Sequence, residues 1–232
     1  MKKRLSPRNG KIIAITGNIC TGKSFVLNFF KNRGFRTFSL DKFIHKLLLT
    51  DDHLKNEVAK AFPDSVVNNE ISRDILGKIV FQNNVHLKKL ESILHPITNT
   101  YLKKLHTETK KNQNTSLVIE IPLLFEKNRE KYFDYIIYLS SSIKTMYKRY
   151  NTRAKSSKEK FESILNSQIS FDKTSDKFDL FIYNENKNYI LNTLKKILLH
   201  DKFKRNCTGY RVNRTELSKW GQTYRNRLYR IN

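Results

Sequence analysis

The sequence predicts an α/β fold in which a parallel β-sheet core is flanked by helices. Three observations carry this. The apolar run Ile12-Ile13-Ala14-Ile15 leads into Gly17, four further residues, then Gly22-Lys23-Ser24, and the helical pattern FVLNFFKNRG follows. Short apolar runs that suit buried strands recur down the chain, separated by longer segments of helical periodicity. Asp41 and Glu120 each stand at or near the end of such a run, the edge where open parallel sheets bind ligands.

The chain has 232 residues, enough for one α/β domain with an inserted subdomain. Its hydrophobic content of 38% and its 15 Phe suit a packed core. The formal charge of +24 fits either a lysine-rich solvated surface or a polyanion partner, and the basic residues are spread along the chain rather than gathered in one block. Two cysteines, Cys20 and Cys207, exclude a disulfide framework and suit a reducing cytoplasm. No apolar run approaches the ~18 residues of a membrane span, and the run after the basic N-terminus is too short for a secretory signal.

In order, residues 1–10 read as a frayed basic arm and Lys11 to Ser24 as strand, glycine loop and helix start. Arg36 to Leu40 is a second strand. Asp41 precedes the helical pattern KFIHKLLL, as its N-cap, a general base or a Mg²⁺ neighbour. Asp51-Asp52 cap HLKNEVAKAF, which ends at Pro63; residues 64–70 read as a polar turn, and Ser72 caps RDILGKIVF. LKKLESIL is helical, His95-Pro96 interrupts it, and ITNTYLKKLHTETKK restarts with Pro96 in its first turn. Strands follow at Ser116 to Ile121, Tyr135 to Leu139 and Phe178 to Tyr183. Between the last two lies a helical hairpin at 142–170, with Phe161, Ile164, Leu165 and Ile169 on one side of its second helix. Tyr189 to Leu199 closes the domain.

The loop chemistry is specific. Gly17 and Gly22 let backbone N–H groups turn toward phosphate oxygens, and the helix N-terminus adds partial positive charge. Lys23 suits the β- and γ-phosphates, and the Ser24 hydroxyl suits Mg²⁺. Glu120 either completes an acidic pair with Asp41 around Mg²⁺ or makes a salt bridge to a lysine. Arg149 and Arg153, four apart, share a helix face that either clamps phosphate or is solvated. His95 at a helix junction is either structural or lines a pocket.

The set GNICTGKS, FSLDKFIHKLL, ISRDILGKIVF, LESILHP, EIPLLFEKN, KRYNTR, Gln168 and IYNEN, over about residues 11–199, resembles the dephospho-coenzyme A kinase family. The resemblance implies a P-loop kinase domain at 11–200, with a helical acceptor-binding insert at about 42–111 and a helical lid at about 142–170. It implies transfer of the γ-phosphoryl of ATP to the ribose 3′-hydroxyl of dephospho-CoA, the last step of CoA synthesis. Asp41 is then the base. Lys23, Arg149 and Arg153 neutralise the moving phosphoryl. Gly17, Asn18, Ile19, Cys20, Thr21, Gly22, Lys23, Ser24, Phe25 and Asn184 bind ATP. Arg73, His95 and Leu123 bind the acceptor. Ser24 and Glu120 hold Mg²⁺, directly or through water. A cytoplasmic monomer is expected.

The chain departs from the family pattern at Asn18 (a usual second glycine), Phe25 (Ser or Thr), Ser39 (Asp), Ser72 (Asp) and Asn99 (Arg). Cys20 is unusual inside such a loop; beside a helix N-terminus its thiol is expected to have a lowered pKa. Residues 201–232 lie outside the resemblance. There Leu217, Trp220, Tyr224, Leu228 and Ile231 form one helical stripe among basic residues, suited to docking on nucleic acid, an acidic membrane or the kinase domain itself. The competing functions are another small-molecule P-loop kinase, acting on a nucleoside or nucleotide, and a nucleic-acid-binding protein with a degenerate P-loop.

Overall fold

A computed structural model describes residues 5–112, 114–154, 157–168 and 177–199. The expected C-terminal extension, with its Leu217-to-Ile231 stripe, lies outside the described residues, as does Ile169. In chain order the elements are β1 (Ile12–Gly17), α1 (Lys23–Lys31), β2 (Arg36–Ser39), α2 (Leu40–Thr50), α3 (Asp52–Ala61), β3 (Val66–Val67), β4 (Glu70–Ile71), α4 (Arg73–Gln82) and α5 (Asn84–Lys111). Then come β5 (Leu117–Glu120), β6 (Tyr135–Ser140), α6 (Ile143–Ala154), α7 (Lys158–Asn166), β7 (Leu180–Tyr183) and α8 (Lys187–Leu199).

Five strands form one sheet in the order β2-β5-β1-β6-β7, and every pairing in it is parallel. β1 is central and buried along its whole length. Its side chains alternate between two cores, as a period of two requires. Ile13 and Ile15 face α1 and α8, meeting Val26, Phe30, Ile190 and Leu194. Ile12 and Ala14 face the other side, where Leu102 and Leu105 of α5 close over Ile119 and Tyr138. Because the strands are parallel, their C-terminal ends share one edge, and the register sets Ile15, Ser39 and Glu120 side by side there.

Helices α2 to α5 build a third core of their own from Leu48, Leu54, Val58, Phe62, Leu76 and Val80. Asp51 caps α3, its side chain accepting the Leu54 N–H at 3.0 Å. Ser72 occupies the N-cap position of α4 but its side chain makes no capping hydrogen bond. A fourth cluster joins α6 to α7 through Met146, Tyr150, Phe161 and Leu165, with Ile19 and Cys20 packed against it. Among the described residues, no helix is long and apolar enough to cross a membrane.

Four sequence expectations change. His95-Pro96 does not divide two helices, because α5 runs unbroken from Asn84 to Lys111 with Pro96 inside it. An interior proline costs about 3 kcal/mol. The helix continues because Leu87, Leu90, Leu94 and Ile97 pack on the insert core while Leu102 and Leu105 pack on the sheet; each fully buried Leu contributes roughly 1.5–3 kcal/mol. Residues 64–70 are not only a turn: they hold a 3-10 turn at Pro63–Ser65, strand β3 and the first residue of β4, and Asn68 and Asn69 take positive φ at the tip of this antiparallel hairpin. Asp41 is not the N-cap of α2. Ser39 holds that position, and Asp41 lies in the helix's first turn. The stretch 5–10 is tied down rather than frayed: Leu5 is buried, and the Ser116 backbone N–H and hydroxyl donate to the carbonyls of Pro7 and Ser6, each at 2.6 Å.

Candidate functional site

The loop between β1 and α1 wraps the C-terminal edge of the central strand. Gly17 has φ +131°, and a Cβ there would lie 2.0 Å from the Leu139 carbonyl oxygen of the neighbouring strand, so only glycine fits. Gly22 has φ +96°, with Asn184 Nδ2 2.4 Å from where a Cβ would stand. That same Nδ2 donates to the Thr21 carbonyl at 2.8 Å, so the segment after β7 braces the back of the loop. Asn184 is buried, with its side chain on the loop backbone.

Lys23 curls back over the loop. Its Nζ donates to the carbonyls of Gly17 (2.8 Å) and Asn18 (2.7 Å). Burial pushes the ammonium below the ordinary lysine range; nearby Asp41 and Glu120 pull it back up, and Arg153 pushes it down again. Ser24, the residue after Lys23, donates its hydroxyl to Glu120 Oε1 at 2.8 Å. Among the described residues Glu120 is held by Ser24 and not by a surface lysine, and it is 5% exposed.

Asp41 completes this group from the end of β2. The residue as a whole is exposed, and the protein packed around its carboxyl raises it above the usual range. Desolvation is the main cause and Glu120 adds to it, while Lys23 and Arg73 oppose it. Arg73, exposed at the start of α4, is therefore brought from the insert to within electrostatic reach of Asp41.

The two arginines of α6 divide. Arg149 is spent on the protein: it donates to Ser141 Oγ (3.0 Å), the Asn184 carbonyl (2.9 Å) and the Cys20 carbonyl (3.3 Å). Arg153 is exposed, with no hydrogen bond or ion pair to other described residues, and its charge reaches both Cys20 and Lys23. The shared face expected from their spacing does point to the loop, but the two side chains do different things there.

Cys20 takes φ 58° at the loop tip. The expected fall in its thiol pKa is overturned: burial raises it, and the opposing charges of Arg153, Lys23 and Arg149 do not compensate. The thiol packs against the α6–α7 cluster, and that desolvation outweighs the three cations.

His95 lies on α5, and Leu123 lies three residues after Glu120. His95 is half-buried on α5, and burial lowers its pKa, with Lys127 and Arg129 adding to the fall and Glu91 opposing it. Leu123 is half-buried in the segment after β5. Sequence reasoning missed Arg129 in that same segment, which is buried and donates to Thr98 Oγ1 (2.9 Å) and Asn99 Oδ1 (3.0 Å). It assigned no role to Gln168, whose Oε1 accepts the Ile19 N–H at 2.9 Å, or to Tyr138, whose hydroxyl donates to Asn18 Oδ1 at 2.8 Å. The one available signal for Tyr138 was a second hydroxyl-bearing ring, near the C-terminal end of the strand that Tyr135 begins.

Ser24 and Glu120 offer a hydroxyl and a carboxylate, both hard oxygen donors of the kind Mg²⁺ takes. Among the described residues no group of three or more His, Cys, Asp or Glu could hold a metal ion alone. The pair fits an ion whose remaining ligands are phosphate oxygens and water. Together the edge offers a glycine loop at a helix N-terminus, a buried cation, a carboxylate pair and an exposed arginine, an arrangement suited to moving a phosphoryl group.

Comparison with known proteins agrees. A family model described as "CoaE: Dephospho-CoA kinase" matches residues 11–189. A dephospho-CoA kinase of Bartonella quintana is 34% identical over 177 residues, covering 76% of this chain and 90% of that protein. The solved dephospho-CoA kinase from Campylobacter jejuni superposes with TM-score 0.53 at 29% identity, over 81% of this chain and 92% of that one. The crystal structure of TT1252 from Thermus thermophilus superposes with TM-score 0.66 at 26% identity, over 84% and 97%.

Proposed function

Because the chain belongs to the dephospho-CoA kinase family, it phosphorylates dephospho-CoA with ATP in CoA biosynthesis, and we propose that the edge built by Lys23, Asp41 and Glu120 is where it does so. The observation that carries this is the mutual electrostatic contact of those three residues, drawn from the start of α1, the first turn of α2 and the end of β5. Loop residues Gly17 to Phe25 bind the ATP phosphates at the N-terminus of α1, while the Ile19 and Phe25 N–H groups stay on Gln168 and the Gly22 carbonyl and Asn184 donates to the Thr21 carbonyl. Lys23, already seated on two loop carbonyls, has a donor left for a phosphate oxygen.

Asp41 accepts the proton of the acceptor's ribose 3′-hydroxyl and orients that oxygen for in-line attack. Desolvation raises its carboxyl above the ordinary aspartate value, which makes the ionised form a stronger base than an ordinary aspartate. Mg²⁺, held by Ser24 and Glu120 directly or through water, supplies charge neutralisation to the phosphates when bound. Arg153 supplies the mobile positive charge, and Arg149 shapes the loop that receives it. Helices α2 to α5 form the acceptor-binding insert and carry Arg73 and His95, with Leu123 contributed by the segment after β5; α6 and α7 form the lid. The free thiol of Cys20 suits a reducing cytoplasm, where we place the enzyme as a monomer.

A coupled ADP-release assay with ATP and Mg²⁺ tests this against dephospho-CoA, adenosine, CMP and pantothenate. ADP release with dephospho-CoA alone, CoA being the product, is the expected result. Turnover with adenosine or CMP instead would overturn the assignment of the acceptor insert.

A further inference from the structure

We propose that Tyr138 is a positioning residue for the phosphate loop, acting through Asn18. Asn18 occupies the place where the family commonly has a second glycine, and here it is a hydrogen-bonding node. Its carbonyl accepts both Lys23 Nζ (2.7 Å) and Thr21 Oγ1 (2.9 Å), and its side-chain Oδ1 accepts the Tyr138 hydroxyl (2.8 Å). Asn18 and Tyr138 are 8% and 3% exposed, so water does not compete for these bonds.

The Tyr138 hydroxyl is itself fixed. Its ring stacks on Phe125, Phe178 and Phe181, with centroids at 6.1, 5.3 and 6.2 Å. The β1–β6 register sets Tyr138 opposite Thr16, two residues before Asn18, so the phenol spans the end of the sheet to reach the loop. A rigid aromatic stack thereby holds the side chain of Asn18, and the Asn18 carbonyl fixes where the Lys23 ammonium sits. The peptide that follows carries the Ile19 N–H, held in turn by Gln168. A glycine at position 18 would have no side chain for Tyr138 to hold, so the tyrosine's contribution depends on the asparagine.

The inference rests on the reading that this loop holds ATP. Lys23→Met tests that reading separately, since it must raise the KM for ATP or abolish turnover if the loop binds the nucleotide. Tyr138→Phe removes one oxygen and keeps the stack. It is expected to raise the KM for ATP roughly three- to tenfold, the span of one hydrogen bond, and to leave the KM for dephospho-CoA unchanged. In an Asn18→Gly background, whatever that change does by itself, adding Tyr138→Phe is expected to alter the KM for ATP by less than about twofold. Asn18→Ala, which removes the acceptor from the other side, is expected to match the Tyr138→Phe rise and serves if Tyr138→Phe does not fold. The proposal is overturned if the KM values for both substrates rise together, if Tyr138→Phe has its full effect with Gly at 18, or if neither Tyr138→Phe nor Asn18→Ala moves the KM for ATP.

Discussion

The Ser24 hydroxyl donates a 2.8 Å hydrogen bond to Glu120 Oε1 across 96 residues of sequence, joining the end of the phosphate loop to the end of β5. The bond exists because β5 and β1 are hydrogen-bonded neighbours with Ile15 opposite Glu120. A lysine partner for Glu120 would have made it structural; a serine hydroxyl leaves its charge available. Glu120→Gln keeps the shape and the hydrogen bond and loses the charge. Its kcat is expected to fall on the order of 100-fold, with more Mg²⁺ needed for half-maximal rate. Magnesium titrations at saturating substrates check this, and an unchanged Mg²⁺ requirement would remove Glu120 from the metal site.

Asp41 is raised above the ordinary carboxyl value of 3.8, chiefly by desolvation, and this fixes two pH signs. As a base it works ionised, so kcat is expected to rise with pH through a pKa above 3.8. Asp41→Asn is expected to lose roughly 100- to 10,000-fold in kcat while still binding ATP. For stability, a raised carboxyl pKa means that the folded state holds the proton more tightly than the unfolded one. Its ionisation therefore opposes folding: the penalty is absent below 3.8, grows through the window up to the folded pKa, and is complete above it. Asp41→Asn is expected to melt at the same temperature or higher at neutral pH and to lose that advantage in acid. Retained turnover in Asp41→Asn, read by ADP release, would end the base assignment.

The frame of the fold was legible because its signals are local. β1, the glycine loop, Asp41 and Glu120 follow from a four-residue apolar run, an eight-residue motif and two strand ends. Pro96 misled because its local cost is real but is outweighed by tertiary packing on both sides of it, which periodicity alone did not weigh. The β3–β4 hairpin was missed because each strand has two residues and its turn is built from Asn68 and Asn69 rather than glycine. Arg149 and Arg153 were placed correctly on a helix face, but which of them the protein occupies depends on oxygens outside that helix, those of Ser141, Asn184 and Cys20. The Tyr138–Asn18 bond joins residues 120 apart and left no pattern in the chain.

Cys20 gives the last test, because two local effects on it have opposite signs. A helix N-terminus and three cationic neighbours favour the thiolate, and burial among Met146, Tyr150 and Phe161 disfavours it. Burial prevails, so the thiol stands above its ordinary value of 9.0. Labelling rates follow the thiolate fraction, so alkylation is expected to be slower than for a free cysteine at about pH 7 and still climbing past pH 9. A Cys207→Ala background leaves one of the chain's two thiols, and intact-mass spectrometry reads its labelling. Because the Cys20 carbonyl is held by Arg149 and the side chain lies against the lid, an adduct there is expected to abolish ATP binding, and ATP is expected to slow the labelling. Fast labelling that levels off below about pH 8 would show that the cations outweigh desolvation. Full turnover after complete labelling would show that ATP does not need the loop tip in the position described.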